Sequence, residues 1–155
     1  MRLSEVYLGL GEQTLGDLLR VVSIGRLKSF QLYERLKLRF HLNKLNSETL
    51  RKSAPKFWQR LQDGDEEFAS ELAQAILVSH LDMIVAILNY LGVPHSEGFF
   101  EKDLNASQYL TGDWQQRAYT EFRGQFPEKA VLFYLNHLGW EMVQAPIFLP
   151  AETAA

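Results

Sequence analysis

Of the three side chains that interrupt the most apolar run of this chain, His80, Asp82 and Asn89, the first two are of types that could do acid-base chemistry. An imidazole titrates near neutrality, and a carboxylate withdrawn from water needs a partner. Their spacing argues against joint work, because two residues on a helix are about 200 degrees apart and the side chains diverge. His80 therefore reads first as a core histidine satisfied by hydrogen bonds. Asp82 reads as a buried acid paired with an Arg or Lys from elsewhere, with a catalytic acid as the alternative. An enzyme reading would need a pocket gathering His80, Asp82 and His137 through tertiary structure.

Other chemistry is weakly supported. Helical metal sites need ligands three or four apart, and neither Glu-x-x-His nor His-x-x-x-His occurs. The chain has no cysteine, which removes disulfides, thiolate nucleophiles and cysteine-zinc sites. Gly11 to Gly16 has the spacing of a phosphate-binding loop, but Asp17 stands where lysine is required and would repel phosphate. Gly-x-Gly-x-x-Gly and Gly-x-Ser-x-Gly are absent. Glu67 and Glu71, one turn apart, read as a solvated helix face. No catalytic residue, metal or cofactor is expected.

The strongest positive signal is charge. Between Arg20 and Arg60 eleven basic residues face two acidic ones, a balance of +9, whereas from Leu61 onward four basic face fourteen acidic, a balance of −10. Arg26, Lys28, Arg35, Lys37, Arg39, Lys44, Arg51 and Lys52, with Tyr33 and Phe40 between them, could track an RNA or DNA backbone, which needs clustered cations and stacking surface. Projected on one helix these cations do not form one stripe, and the whole chain is acidic at −3. A solvated helical surface is the competing account.

These residues have to be positioned by helices. Asp65 to Leu91 predicts one long central helix: Asp65 as cap, Glu66 and Glu67 on the first turn, and Phe68, Leu72, Ile76, Leu81, Ile84, Leu88 and Leu91 on one stripe. Gly92 and Pro94 close it. From Ala75 onward nearly every position is apolar, which predicts burial on all sides. A membrane span would need about 20 apolar residues, so no membrane contact is expected.

Around that helix the pattern predicts an all-α fold, a compact orthogonal bundle or short stack of helical pairs with about six or seven helices. Thr14 caps a helix from Leu15; Asn46 or Ser47 opens another that stops before Pro55; Pro55–Gln62 follows, with Phe57 and Leu61 inward. Phe99 and Phe100 are expected to plug back into the core. Later helices start at Asn105, Asp113 and Pro127, the last closing at Gly139. Leu36–Asn43 alternates apolar and polar residues, so a minor hairpin with Val6, Leu8 and Leu10 is the alternative near the N-terminus. Gly-Asp recurs at residues 16, 64 and 112, hinting at a helical repeat of 48 residues.

A chain of 155 residues, 46% hydrophobic and 23% charged, fits one soluble domain over residues 1–140 with an extended or disordered tail over 141–155. No secretory signal is visible near Met1, so a cytoplasmic location is expected. Segregated charge without catalytic motifs favours a non-catalytic interaction module that contacts a protein partner or associates with itself. Polyanion binding through residues 20–60 is the second reading, and a small α-helical enzyme the third.

Overall fold

The computed structural model describes residues 1–29, 47–101 and 103–151. Within them the chain is all-α: nine α-helices, a short 3-10 turn, no strand, and one isolated antiparallel bridge between Ser96 and Phe99. It divides into two compact units, Arg2–His80 and Leu81–Ala155 together with Met1.

The first unit contains α1 (Leu3–Leu10), α2 (Glu12–Arg20), α3 (Ile24–Ser29), α4 (Ser47–Lys52), α5 (Ala54–Gln62) and α6 (Glu66–Val78). Its core is built from helical faces: Leu3, Val6 and Tyr7 from α1, Leu15, Leu18 and Leu19 from α2, Phe57 and Leu61 from α5, Phe68 and Leu72 from α6. Phe57 and Phe68 meet edge to face with centroids 5.2 Å apart, a favoured aromatic geometry. The Tyr7 hydroxyl is satisfied by donating to the Ala69 carbonyl at 3.0 Å. Asp65 caps α6 by accepting from the Phe68 amide at 3.0 Å, and Arg60 donates to its other oxygen at 3.1 Å.

The second unit contains α7 (Leu81–Leu91), the 3-10 turn Ala106–Gln108, α8 (Trp114–Phe122) and α9 (Glu128–Val143). Ala130 to Leu135 and Leu138 of α9 are all buried, so this helix is its centre. Trp114, Ala118, Tyr119 and Phe122 supply the inward face of α8. The two helices approach closely at Gly139: a Cβ there would come within 2.8 Å of Gln115 Nε2 and 3.2 Å of Ala145 Cβ.

Several expectations are corrected. The central helix over 65–91 is not continuous: α6 stops at Val78 and α7 starts at Leu81. Ser79 is the cause. Its hydroxyl donates back to the Ala75 carbonyl at 2.8 Å and accepts from the Ser23 amide at 2.8 Å, while Ser79 N and His80 N bond the carbonyls three residues back. A short hydroxyl competing locally for backbone partners ends the helix. Nor is the second half wrapped on all sides. Met83, Ile84, Ile87 and Leu88 are buried, but Asp82, Asn89 and Tyr90 are exposed, so α7 is amphipathic.

The N-terminal hairpin is also corrected, because Val6, Leu8 and Leu10 lie in α1. Leu3, Val6 and Tyr7 sit at helical spacing on the buried side, and the exposed Gly9 costs only its local propensity of about 1 kcal/mol. Its proposed partner, Leu36–Asn43, lies outside the described residues. Among the described residues the helix count exceeds six or seven for three reasons: α1, a separate α3 after α2 ends at Arg20, and the split at Ser79. Gly139 does not close α9, which runs on to Val143. The Gly-Asp pairs share no structural role: Gly16 and Asp17 are inside α2, whereas Gly64 and Gly112 precede helices with positive φ.

Candidate functional site

The predicted site residues are distributed unevenly. Arg35, Lys37, Arg39 and Lys44, with Tyr33 and Phe40, lie outside the described residues, and Lys28 lies on α3 with its side chain outside them. Arg26 is half-buried on α3, its amide donating to Ser23 Oγ at 3.3 Å. Arg51 and Lys52 are exposed on α4, and Lys52 pairs with Glu48 at 3.1 Å.

His80 sits in the turn after α6 with its Nε2 enclosed and without a hydrogen-bond partner. Burial, and after it the Arg26 charge, lower its pKa, so the ring is neutral. Asp82 is exposed, not buried. It occupies the first turn of α7, where a carboxylate favours the helix dipole and water solvates it. The expectation of a buried, paired acid at position 82 is therefore corrected: an apolar neighbourhood in sequence is not burial in space.

Two arrangements were not read from the sequence. The first is an aromatic turn following α7. Ser96 and Phe99 exchange both backbone hydrogen bonds, at 2.8 and 2.9 Å. The two central residues, Glu97 and Gly98, have φ of 52° and 92°, the pattern of a type I′ turn. His95 locks it: Nδ1 accepts from the Gly98 amide at 3.0 Å, and Nε2 lies 2.8 Å from Asn89 Oδ1. That network assigns the Nε2–H tautomer, since only an N–H can face an amide oxygen. Gly98 rests on α7, where a Cβ would meet Ile84 Cγ2 at 3.3 Å.

Phe99 leaves this turn 57% exposed, contrary to the expectation that it fills the core. The tight reversal aims it outward while Phe100 remains half-buried. Tyr90, adjacent to the anchoring Asn89, is 44% exposed and its ring packs edge to face on Phe122 at 5.5 Å. A polar stretch, His95 to Gly98, masked this turn in the sequence. The Glu-Gly pair at 97 and 98 was its one local sign.

The second arrangement lies at the C-terminal end of α9. His137, Trp140 and Glu141 are spaced three and four apart and share a side of the helix. His137 Nδ1 is 3.3 Å from Glu141 Oε2, and its ring meets Trp140 at 5.6 Å and Phe133 at 6.0 Å. Burial pushes His137 down to about 4 and Glu141 above the usual carboxylate range. At neutral pH the imidazole is thus uncharged, and its proximity to Glu141 is not an ion pair. Trp140 Nε1 donates to the Met1 carbonyl at 2.7 Å. A cleft of about 450 Å³ opens here, lined by Met1, Trp140, Glu141 and Gln144. The sequence signal for this pair is the His-x-x-x-Glu spacing, which puts both side chains on one side of a helix.

Comparison with known proteins adds no relative: no family model, curated protein or solved structure matches the chain at a significant level.

Proposed function

We propose that the chain is a non-catalytic helical interaction module that docks on a protein partner, or on a second copy of itself, through the aromatic turn at Phe99. One observation carries this reading: a ring more than half exposed stands on a turn fixed by the Ser96–Phe99 bridge and the His95 bonds to Gly98 and Asn89. An aromatic anchor that is already rigid loses little entropy on binding, and such residues dominate interface energetics. Tyr90 supplies a second exposed aromatic with a polar tip, a composition enriched at protein contacts.

The test is light scattering coupled to size exclusion, together with affinity capture, on the wild-type chain and Phe99→Ala. Association of the wild type that is lost in the variant, with unfolding midpoints unchanged, supports the module. A monomer that captures no partner at any salt concentration counts against it.

A second reading, polyanion binding, is favoured by Arg26 and Arg51, which form no ion pair among the described residues. It predicts binding of RNA or DNA that weakens steeply with salt and is lost when Arg26, Arg51 and Lys52 are neutralised together. Fluorescence anisotropy at two salt concentrations tests it, and salt-insensitive or absent binding ends it.

A further inference from the structure

We propose that the face of α8 and α9 covered by residues 144–151 accepts an extended, proline-flanked aromatic segment of a protein partner, and that the chain's own Pro146–Pro150 occupies it in cis as a competitor. Three side chains reach this segment from the helices. Asn136 of α9, only 3% exposed, holds both backbone groups of Phe148: it donates to the carbonyl at 3.0 Å and accepts from the amide at 2.7 Å. Tyr119 of α8 meets the Phe148 ring edge to face, with centroids 6.3 Å apart. Gln116, three residues before Tyr119 and so on the same side of α8, accepts from the Ala151 amide at 2.8 Å. This surface does not depend on the aromatic turn at Phe99.

These contacts are of the kind that capture a peptide. A side-chain amide that pairs with the amide and carbonyl of one residue reads main chain, which any extended segment supplies, and the ring beside it selects an aromatic side chain. A helical ligand cannot use Asn136, because its backbone groups are already paired. The cis occupant shows what fits. Ala145 and Leu149 each precede a proline, which keeps them out of helical geometry, and a segment stiffened in this way loses little entropy when it docks. The occupant is also lightly held. It leaves α9 through Gln144, whose φ of 51° is disfavoured for a residue with a Cβ, Phe148 is only half-buried, and Leu149 is 64% exposed. Among the described residues the segment joins no helix or strand. A partner that offers the same backbone and ring can therefore take its place.

The probe is a fluorescein-labelled peptide with the sequence of residues 144–151, and the readout is its anisotropy against the full chain, as wild type and as Phe148→Pro. The substitution removes the ring and the amide that hold the cis segment. A cooperative urea transition of the variant is checked first, and Phe148→Ala replaces it if that transition is lost. A tethered segment competes at an effective concentration on the order of millimolar. Saturable binding is therefore expected in the variant, with affinity for the wild type roughly tenfold or more weaker. Methylating the peptide's Phe nitrogen removes the donor to Asn136 without altering the protein, and it should weaken binding roughly tenfold; exchanging that Phe for Ala should do the same. No saturable binding to the variant, equal affinity for variant and wild type, or indifference to both peptide changes would overturn the proposal. Wild-type dimers at high concentration that vanish in Phe148→Pro would also overturn it, by reassigning this face to exchange of the segment between two copies.

Discussion

Asn136 closes both ends of its side-chain amide on one residue: Nδ2 donates to the Phe148 carbonyl at 3.0 Å, and Oδ1 accepts from the Phe148 amide at 2.7 Å. Its Nδ2 also reaches the Leu132 carbonyl at 3.0 Å. This buried amide pairs with the backbone of the segment after α9 much as a strand would. Residues 144–150 have no regular secondary structure, yet Phe148 also packs on Tyr119 at 6.3 Å, and the Ala151 amide donates to Gln116 at 2.8 Å.

Asn136→Ala should therefore cost about 2–3 kcal/mol, since it leaves the Phe148 amide and carbonyl without their partner in a largely buried setting. Urea unfolding measures the loss. Hydrogen exchange should show the Phe148 amide losing protection in the variant while Val131 and Leu135 keep theirs. Equal protection in both proteins would show that the segment is held by its ring contacts alone.

Ser79→Ala should destabilise the chain by about 1 kcal/mol even though alanine is the better helix former by a few tenths. The hydroxyl it removes serves both the Ser23 amide and the Ala75 carbonyl. A stabilised variant, read from the urea midpoint, would mean that the turn between α6 and α7 does not depend on this hydroxyl.

Glu97 holds a left-handed conformation that a residue with a Cβ adopts at a cost of roughly 1 kcal/mol. Glu97→Gly should recover about that amount. Gly98→Ala should lose more, from its φ of 92° and from the contact with Ile84. Thermal unfolding of the pair separates the two positions, and opposite signs are the expected result.

Acid should weaken the fold through His137. Its folded-state pKa of about 4 lies below the ordinary 6.5 because burial disfavours the charged ring. Between those values the unfolded chain binds the extra proton, so stability is constant above about pH 6.5 and declines as pH falls through 4. His80, lowered by burial and by Arg26, acts in the same direction. Glu141, raised by burial, binds its proton more readily in the folded chain and opposes the decline just above pH 4.5. The net loss from pH 7 to pH 4 attributable to His137 is about 2–3 kcal/mol. His137→Gln should flatten the profile of unfolding free energy against pH; an unchanged slope would place the titrating group elsewhere.

What could be read in advance was the helical class and many element starts, because those depend on local rules. Asp65 as a cap, Pro55 near a helix start, Asn105 before the 3-10 turn and the inward sides of Phe57, Leu61, Trp114 and Phe122 follow from spacing and capping chemistry alone. What could not be read depended on partners distant in sequence. Ser79 breaks an apolar run because Ser23, 56 residues earlier, offers it an amide. Gly139 looks like a terminator, but it lies inside a helix where a Cβ would crowd Gln115 and Ala145. Phe99 looks like core and is displayed by a turn that His95 fixes through Asn89, six residues back. His137 and Glu141 were legible by spacing, but their burial was not.

The hydroxyl of Tyr7, committed to the Ala69 carbonyl and sealed from solvent, has a further effect in alkali. Burial holds its ionisation well above 10, so the phenolate absorbance of this residue cannot develop until the first unit opens. Burial holds up Tyr134 of the second unit in the same way, so the late step of an alkaline ultraviolet titration reports the opening of both units, readable without a label.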